Sequence, residues 1–162
     1  MDDVLILTTG GTLDKVHDLV REALVFDREA GSCVPEILAR ARAEFPRVES
    51  LMWLDSLDMI DADRERILDA IRAAGERAIV IVHGTGTMGQ TARYLAGRVG
   101  DKTVVLTGAM RPQSLGRSDA GFNLGGAIVA AQLCAAGVWG VMNGRVMAAD
   151  ALDKDRNTGR FA

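Results

Sequence analysis

Residues 78–97 read AIVIVHGTGTMGQTARYLAG and pass from a strand-like segment through a glycine-rich turn into a helix-like segment. The run Ile79–Val82 is short, apolar and β-branched, which is typical of a strand buried on both faces of a parallel sheet. The turn that follows carries Gly84, Gly86 and Gly89 at G-x-G-x-x-G spacing. A strand that leads through such a turn into a helix begins a βαβ unit, and α/β sheets bind their ligands at turns of this kind.

Strand and helix candidates alternate along the rest of the chain. The apolar runs predict strands at 4–8, 48–54, 79–82, 103–107 and 139–142. Helical spacing predicts helices at 34–45, 61–75, from the end of the quoted turn to about 99, and 120–136. Asp61 is expected to cap the second helix, and a hairpin is expected around 23–26. The alternation predicts an α/β fold in a single domain, with a mostly parallel sheet flanked by helices.

Size and composition exclude several classes of protein. The chain has 162 residues, 48% hydrophobic content and 25% charged content, which suits one globular domain with its own core. A formal net charge of −3 offers no concentrated basic face, so no nucleic-acid partner is expected. The arginines and acids interspersed along the helices indicate a solvated surface.

Targeting and metal signals are weak. No segment reaches the roughly 18 to 20 apolar residues of a membrane span, so no membrane partner is expected. The first residues, MDDVLILTTGG, do not resemble a signal peptide, and we expect a cytoplasmic protein. Cys33 and Cys134 match no metal spacing, and neither a disulfide, a metal nor a cofactor is expected.

The turn at 83–87 admits three interpretations. A dinucleotide site needs an acidic residue at the end of the next strand, and that strand ends Thr107-Gly108-Ala109 without one. Alternatively, the glycines only make tight strand-to-helix turns, which leaves the threonines unexplained. The third interpretation is a reacting amide. The first strand also ends in a threonine-bearing turn, Thr9-Gly10-Gly11-Thr12, and glycine lets a ligand approach backbone N–H groups closely.

A set of short motifs supports the third interpretation. They are TTGGT at 8–12, DSLDM at 55–59, HGTGTM at 83–88, TGAMRP at 107–112, FNL at 122–124, VMNGRV at 141–146 and Lys154. In this order they resemble the N-terminal domain of bacterial-type L-asparaginases over nearly the whole chain. The resemblance implies an amidohydrolase that turns L-asparagine, or a related small amide, and water into a carboxylate and ammonia. It also implies a homo-oligomer, which the apolar helix candidate at 120–136 supports.

The resemblance assigns roles to particular residues. Amide hydrolysis needs a nucleophile, a proton path to the leaving ammonia and donors for the oxyanion. Thr12 matches the nucleophile, and the glycine amides of its turn could face the oxyanion. Thr85 matches the second catalytic threonine, and Lys154 matches the lysine that exchanges a proton with it. Ser56 matches the serine that holds the substrate's α-carboxylate. The other substrate-binding candidates are Gly11, Leu57, Asp58, Gly84, Gly86 and Ala109. Asp119 falls where the family has an aspartate just before a helix, and capping of that helix would explain it equally well. Asn143 is expected to be structural.

The chain departs from the family pattern at three places. Gly86 replaces the aspartate of His-Gly-Thr-Asp-Thr, which grips the substrate's α-ammonium and pairs with the lysine. Leu57 stands where many members have glutamine. No tyrosine follows Thr12 before Tyr94, and His17 is there instead, either as a catalytic base or as an exposed loop residue. Reduced or altered amidase activity is therefore expected, and the alternative is a non-catalytic module that binds small acids.

The position of the chain end completes the expectations. The longer enzymes continue into a smaller C-terminal domain, whereas this chain stops at Ala162, shortly after Lys154. We expect residues 1–162 to form one asparaginase-like catalytic domain without that second domain, whether naturally or by truncation. The nearest acids to the altered motif, Asp55 and Asp58, could take over the ammonium.

Overall fold

A six-stranded sheet forms the centre of the computed structural model, which describes residues 3–161. Its strands are β1 (Val4–Gly10), β4 (Arg47–Leu54), β5 (Ala78–Val82), β6 (Thr103–Thr107), β7 (Gly137–Met142) and β8 (Arg145–Ala148). Their order across the sheet is β4-β1-β5-β6-β7-β8, and every pair is parallel except β7 with β8. A separate antiparallel hairpin joins β2 (Lys15–Asp18) to β3 (Ala23–Phe26). The predicted α/β fold with a mostly parallel sheet is confirmed.

Helices cover both faces of the sheet. They are α1 (Val34–Arg40), α2 (Asp61–Ala73), α3 (Met88–Leu95) and α4 (Ala120–Leu133). Alternate residues of β1 pack into different layers: Leu5 lies in the core with α2 and α3, and Ile6 lies in the core with α1 and α4. Every residue of β1, β5 and β6 is buried, which is why these strands read as continuous apolar runs.

Several element boundaries differ from the sequence expectations. Asp61 does not cap α2; it is the first helical residue, and the N-cap residue is Ile60, whose N–H donates to Asp63 Oδ2 at 3.0 Å. The helix α1 ends at Arg40, with Arg42 at a φ of 54° shortly after it. The helix α4 ends at Leu133, because Cys134 has an extended backbone.

The strand β8 was not predicted. It pairs with β7 through a two-residue turn, Asn143-Gly144, at φ of 54° and 76°. Positive φ at both central residues is the geometry that matches the twist of a hairpin, and Asn-Gly is the sequence that favours it. Across residues 3–161, none of the helices is long and apolar enough to cross a membrane.

The sheet register brings the candidate site together. Val82 of β5 pairs with Thr107 of β6, so these two strands end level with one another, and Val82 also pairs with Thr8 of β1, which continues to Gly10. The irregularity at the end of β1 then pairs Gly10 with Leu54 of β4. The turns after four parallel strands therefore meet at one edge of the sheet, where α/β folds bind ligands.

Candidate active site

The turn after β1 presents Thr12. Gly10 and Gly11 have φ of 96° and 79°, and the ψ of Gly11 is 178°, a combination that only glycine adopts readily. The N–H of Gly11 donates to Leu54 O at 3.1 Å, so this amide is not available to an oxyanion. Thr12 begins the 3₁₀ turn Thr12–Asp14 and is partly exposed, whereas Leu13 is buried.

Asp14 ties this turn to the start of α1. Its Oδ1 accepts hydrogen bonds from Ser32 Oγ at 3.0 Å and from the N–H of Cys33 at 2.8 Å. Burial, followed by the negative charge of Asp14, raises the pKa of the Cys33 thiol above its ordinary value. Cys33 is therefore held as a thiol, which is a weaker nucleophile than a thiolate.

The turn after β4 carries Ser56. Asp55 Oδ1 accepts from the N–H of Leu57 at 3.0 Å, and its Oδ2 accepts from Lys15 Nζ at 2.5 Å. The contact with Lys15 is the main cause of the lowered pKa of Asp55. Lys15 was not singled out in the sequence, yet it joins the segment after Thr12 to the segment that carries the buried Ser56.

The turn after β5 packs directly on the other two. A Cβ placed on Gly11 would lie 2.6 Å from the N atom of Gly84, and a Cβ on Gly84 would lie 2.6 Å from Ser56 Oγ. Ser56 Oγ accepts from the N–H of Thr87 at 3.3 Å, and Thr87 Oγ1 donates to Ser56 O at 2.7 Å. The three turns therefore form one continuous surface with Ser56 between them.

Gly86 lies beside Leu57 on this surface. A Cβ on Gly86 would lie 2.8 Å from Leu57 Cδ2 and 3.2 Å from Ser56 Oγ. Leu57 is 74% exposed, so its apolar side chain lines the open side of the turn. Asp58, the next residue, is exposed, and its carboxylate makes no hydrogen bond or ion pair with any of residues 3–161.

Lys154 reaches the turn from the end of the chain. Its Nζ donates to Thr85 Oγ1 at 3.2 Å across a sequence separation of 69 residues. The ion pair between Arg93 and Asp153, at 3.1 Å, fastens the preceding residue to α3, and Leu152 is fully buried. Within the described part of the chain, Lys154 forms no ion pair.

The turn after β6 is fixed by side chains. Asp119 accepts from the N–H groups of Met110 and Arg111, each at 3.1 Å to Oδ1, and makes no capping hydrogen bond to α4. Asp119 therefore occupies the N-cap position of α4, but its carboxylate holds the turn after β6, so the capping explanation of this residue is wrong. Asn123 Nδ2 donates to Gly108 O at 2.9 Å and so holds the same turn one residue before Ala109. Ala109, which is buried, therefore lies between two fixed residues, Gly108 and Met110.

Asn143 links the end of β7 to this arrangement. Its N–H donates to Asn123 Oδ1 at 3.1 Å, and its own side-chain oxygen accepts from the N–H of Phe161 at 3.0 Å. Asn143 thus connects the β6 turn to the segment that carries Lys154, as a structural residue would.

A buried polar chain underlies the turn after β5. His83 Nδ1 lies 2.7 Å from Gly84 O, so it carries the proton and donates to that carbonyl. His83 Nε2 then accepts from Thr91 Oγ1 at 2.8 Å, and Thr91 Oγ1 accepts from Arg64 Nε at 3.1 Å. Burial lowers the pKa of His83 to about 4, so the imidazole is neutral at pH 7. Arg64 is 5% exposed, contrary to the expectation of a solvated surface.

Not every candidate joins the cluster. The structure brings together Gly11, Ser56, Leu57, Gly84, Thr85, Gly86 and Lys154. His17 lies on β2, opposite Leu24, where it is exposed and makes no side-chain hydrogen bond to residues 3–161. In that same part of the chain, no group of three or more His, Cys, Asp or Glu side chains could hold a metal ion.

Comparisons with known proteins agree with this arrangement. Residues 3–162 match the family model described as Asparaginase, N-terminal. The chain belongs to the asparaginase family. Its resemblance to L-asparaginases at the motifs above is thereby confirmed.

Individual relatives differ in their names and lengths. The chain is 32% identical, over 170 residues, to "Probable L-asparaginase periplasmic" of Haemophilus influenzae, covering 98% of this chain and 48% of that protein. It is also 32% identical, over 152 residues, to a glutamyl-tRNA(Gln) amidotransferase polypeptide of Methanococcus maripaludis, covering 89% of this chain and 35% of that protein. The chain thus spans about half, or less, of the length of these curated relatives.

A solved structure shows the same fold. The crystal structure of a "Probable Cytoplasmic L-asparaginase" from Campylobacter jejuni aligns with a TM-score of 0.75 and 28% sequence identity. The alignment covers 93% of this chain and 49% of that protein. The Campylobacter jejuni protein thus shares the fold of this chain.

Proposed function

We propose that the chain is an amidohydrolase that cleaves a small amide-bearing acid to its carboxylate and ammonia, with Thr12 as the nucleophile. The hydrogen bond from Lys154 Nζ to Thr85 Oγ1 carries the proposal. This contact places the side-chain nitrogen of Lys154 beside the hydroxyl of Thr85. The turn that carries Thr85 packs against the turn that carries Thr12. Membership of the asparaginase family supports the same reaction class.

The residues of the cluster suggest how the reaction would proceed. Thr12 Oγ attacks the amide carbon while its proton passes to a base, the role proposed below for His17, and collapse of the tetrahedral intermediate breaks the C–N bond. The leaving nitrogen takes a proton from Thr85, which Lys154 resupplies, and departs as ammonia. Water then attacks the Thr12 ester and gives a proton to Thr85 and Lys154, and the base returns its proton to Thr12 Oγ as the carboxylate leaves.

Backbone amides supply the donors that an oxyanion or a carboxylate needs. Thr85 and Gly86 lie outside the helices and strands, and their N–H groups donate to no oxygen within residues 3–161. Ser56 Oγ lies beside them and can contribute a further donor. We propose that the carboxylate of the substrate lies against Ser56 and that His17 is the base for Thr12.

Ammonia release tests the reaction. We expect release from at least one member of a panel of small ω-amide acids, and its loss in Thr12→Ala and in Thr85→Ala. The matched control is Thr158→Ala, an exposed threonine whose hydroxyl accepts a hydrogen bond from the N–H of Arg160 and makes none to the residues of the site. His17→Gln should shift the pH profile if His17 is the base. A folded protein that releases no ammonia from any amide would refute the proposal.

The second candidate function is a module that binds small acids without turnover. The observation that favours it is Gly86, which leaves the turn without the carboxylate of the family motif. Calorimetry would then show binding of aspartate or succinate, while the ammonia assay stays flat. Turnover that disappears in Thr12→Ala would exclude this candidate.

We further propose that the chain forms a homo-oligomer. Four large apolar side chains on α4 and β8 are exposed: Phe122 at 70%, Val129 at 54%, Leu133 at 79% and Val146 at 54%. Burying such a patch against a second copy would remove it from water. Light scattering should show at least a dimer that Leu133→Glu dissociates, whereas a wild-type monomer at high micromolar concentration would contradict the proposal.

A further inference from the structure

We infer that the substrate of this site is a small ω-amide acid without a free α-ammonium group, such as succinamate or an N-acylated asparagine. The inference rests on the amidohydrolase function proposed above and specifies its substrate class. It comes from the charges and shapes of the groups around Gly86.

Four polar groups on or beside the turn donate hydrogen bonds or carry positive charge. The unengaged N–H groups of Thr85 and Gly86, the hydroxyl of Ser56 and the ammonium of Lys154 all suit an anionic ligand. Within residues 3–161, Lys154 has no carboxylate partner to offset its charge. A ligand that brings a second positive charge close to Lys154 would therefore meet repulsion.

The acidic side chains of the neighbouring segments are already occupied or lie in solvent. Asp55 binds Lys15 and the N–H of Leu57, and Asp153 binds Arg93. Asp119 binds the N–H groups that follow β6. Asp58 is exposed. Among residues 3–161, an ammonium held against these turns would lose part of its water and could gain only the exposed carboxylate of Asp58. Contacts between exposed charges contribute little, so this exchange is unfavourable.

The space beside Gly86 is apolar. The methyl group Leu57 Cδ2 would be the nearest neighbour of a Cβ at position 86, at 2.8 Å. A CH₂ group or an acyl methyl fits against this surface better than an ammonium does. The side chain of Leu57 thus favours an α carbon that is unsubstituted or carries an acylated nitrogen.

The backbone does not require glycine at position 86. Its φ lies outside the positive range that favours glycine, and the closest obstacle is the end of an exposed leucine side chain. An aspartate could therefore be accommodated with a small movement of Leu57. The geometry of the turn therefore does not exclude a carboxylate at position 86, and its absence there is a chemical property of the site.

Competing substrates test the inference. We expect kcat/KM for succinamate and for N-acetyl-L-asparagine to exceed that for L-asparagine by at least about tenfold. In Gly86→Asp, we expect kcat/KM for L-asparagine to rise on the order of ten- to a hundredfold, because a charge-assisted contact is restored. The matched control is Gly75→Asp, which adds the same charge at a position with nothing within 4 Å of its Cβ.

The outcomes separate the inference from the proposed function. Hydrolysis of L-asparagine as fast as succinamate would overturn the inference and leave the amidohydrolase intact. No hydrolysis of any amide would overturn the proposed function. Calorimetry on the wild-type protein would then still decide the inference: succinamate binding more tightly than L-asparagine supports it, and equal or weaker binding overturns it.

Discussion

The two glycine-rich turns that meet at the candidate site use glycine for different physical reasons. In the turn after β1, Gly10 and Gly11 have positive φ, so the backbone itself requires glycine. In the turn after β5, neither Gly84 nor Gly86 has positive φ, and glycine is there because of what a side chain would meet. The first turn is therefore fixed by its backbone, whereas the second can be altered through its neighbours.

The largest effect is expected for Gly11→Ala. Its backbone conformation is strained for any other residue, and the new Cβ would lie 2.6 Å from backbone N and 2.7 Å from Cα of Gly84. Together, strain and overlap should reduce the free energy of unfolding by at least about 3 kcal/mol and remove activity. Urea unfolding measures the free energy of unfolding, and ammonia release measures the activity.

A second glycine separates strain from overlap. Gly31 has a φ of 78° and nothing within 4 Å of its Cβ. Gly31→Ala should therefore lose only about 1–2 kcal/mol, the cost of the left-handed backbone alone. Equal losses of unfolding free energy in Gly11→Ala and Gly31→Ala would contradict the packing of the turn after β1 on the turn after β5.

The next effect is the pH dependence of stability that comes from His83, which is buried beneath the turn after β5. The pKa of His83 is lowered to about 4, from 6.5 in the unfolded chain, because the imidazole is buried. Between these values the unfolded state binds more protons, so its population grows as pH falls. The free energy of unfolding should be unaffected above pH 6.5 and should fall by up to about 3 kcal/mol as pH drops towards 4.

Variants at the two histidines assign this dependence. In His83→Gln, the part of the pH dependence between 6.5 and 4 should disappear from urea unfolding curves. His17→Gln, which alters the exposed histidine on β2, should leave that part unchanged. If the loss of stability in this window persists in His83→Gln, the proton uptake belongs to other groups.

An intermediate effect is expected for Gly84→Ala. The new Cβ would meet Ser56 Oγ at 2.6 Å and Ser56 Cβ at 2.7 Å, and Ser56 is buried. Overpacking of this kind costs about 1–3 kcal/mol. A double mutant tests the cause: Gly84→Ala with Ser56→Gly should recover part of the lost stability, and strict additivity would show that Ser56 is not the obstacle.

The sequence predicted the sheet well because its signal is local. Strands buried on both faces read as apolar runs, and β6 was placed at its observed bounds, 103–107. The cap of α2 was misplaced because Asp61 and Asp63 are both good capping residues. Which of them bonds to the backbone depends on the preceding 3₁₀ turn, Ser56–Asp58. The hairpin at Asn143-Gly144 does have a local signal, because Asn-Gly favours positive φ at both central residues.

The residues of the candidate site that belong to motifs were singled out from the sequence, whereas the residues joined to them by long-range pairs were not. Lys15 and Asp55 are 40 residues apart, and Arg64 and Thr91 are 27 apart. No periodicity links such residues. Arg64 also lies among acids on a helix, a pattern typical of a solvated face, although its guanidinium is buried. Pairing of this kind follows from how the turns pack, which only the folded structure shows.

The smallest effect is expected for Gly86→Ala, and it tests the comparison most sharply. The added Cβ would lie 2.8 Å from Leu57 Cδ2, the end of a side chain that is 74% exposed and can turn away into solvent. Replacing glycine by alanine at a compatible φ also reduces the freedom of the unfolded chain, which stabilises by about 0.4–1 kcal/mol. These terms oppose each other, so the free energy of unfolding should change by less than about 1 kcal/mol.

Adding Leu57→Ala should make the change at position 86 stabilising, as in the open control Gly75→Ala. Urea unfolding of Gly86→Ala, Leu57→Ala, the double variant and Gly75→Ala gives the comparison. A loss above about 2 kcal/mol in Gly86→Ala that Leu57→Ala does not relieve would mean that the backbone of the second turn needs glycine as strictly as that of the first.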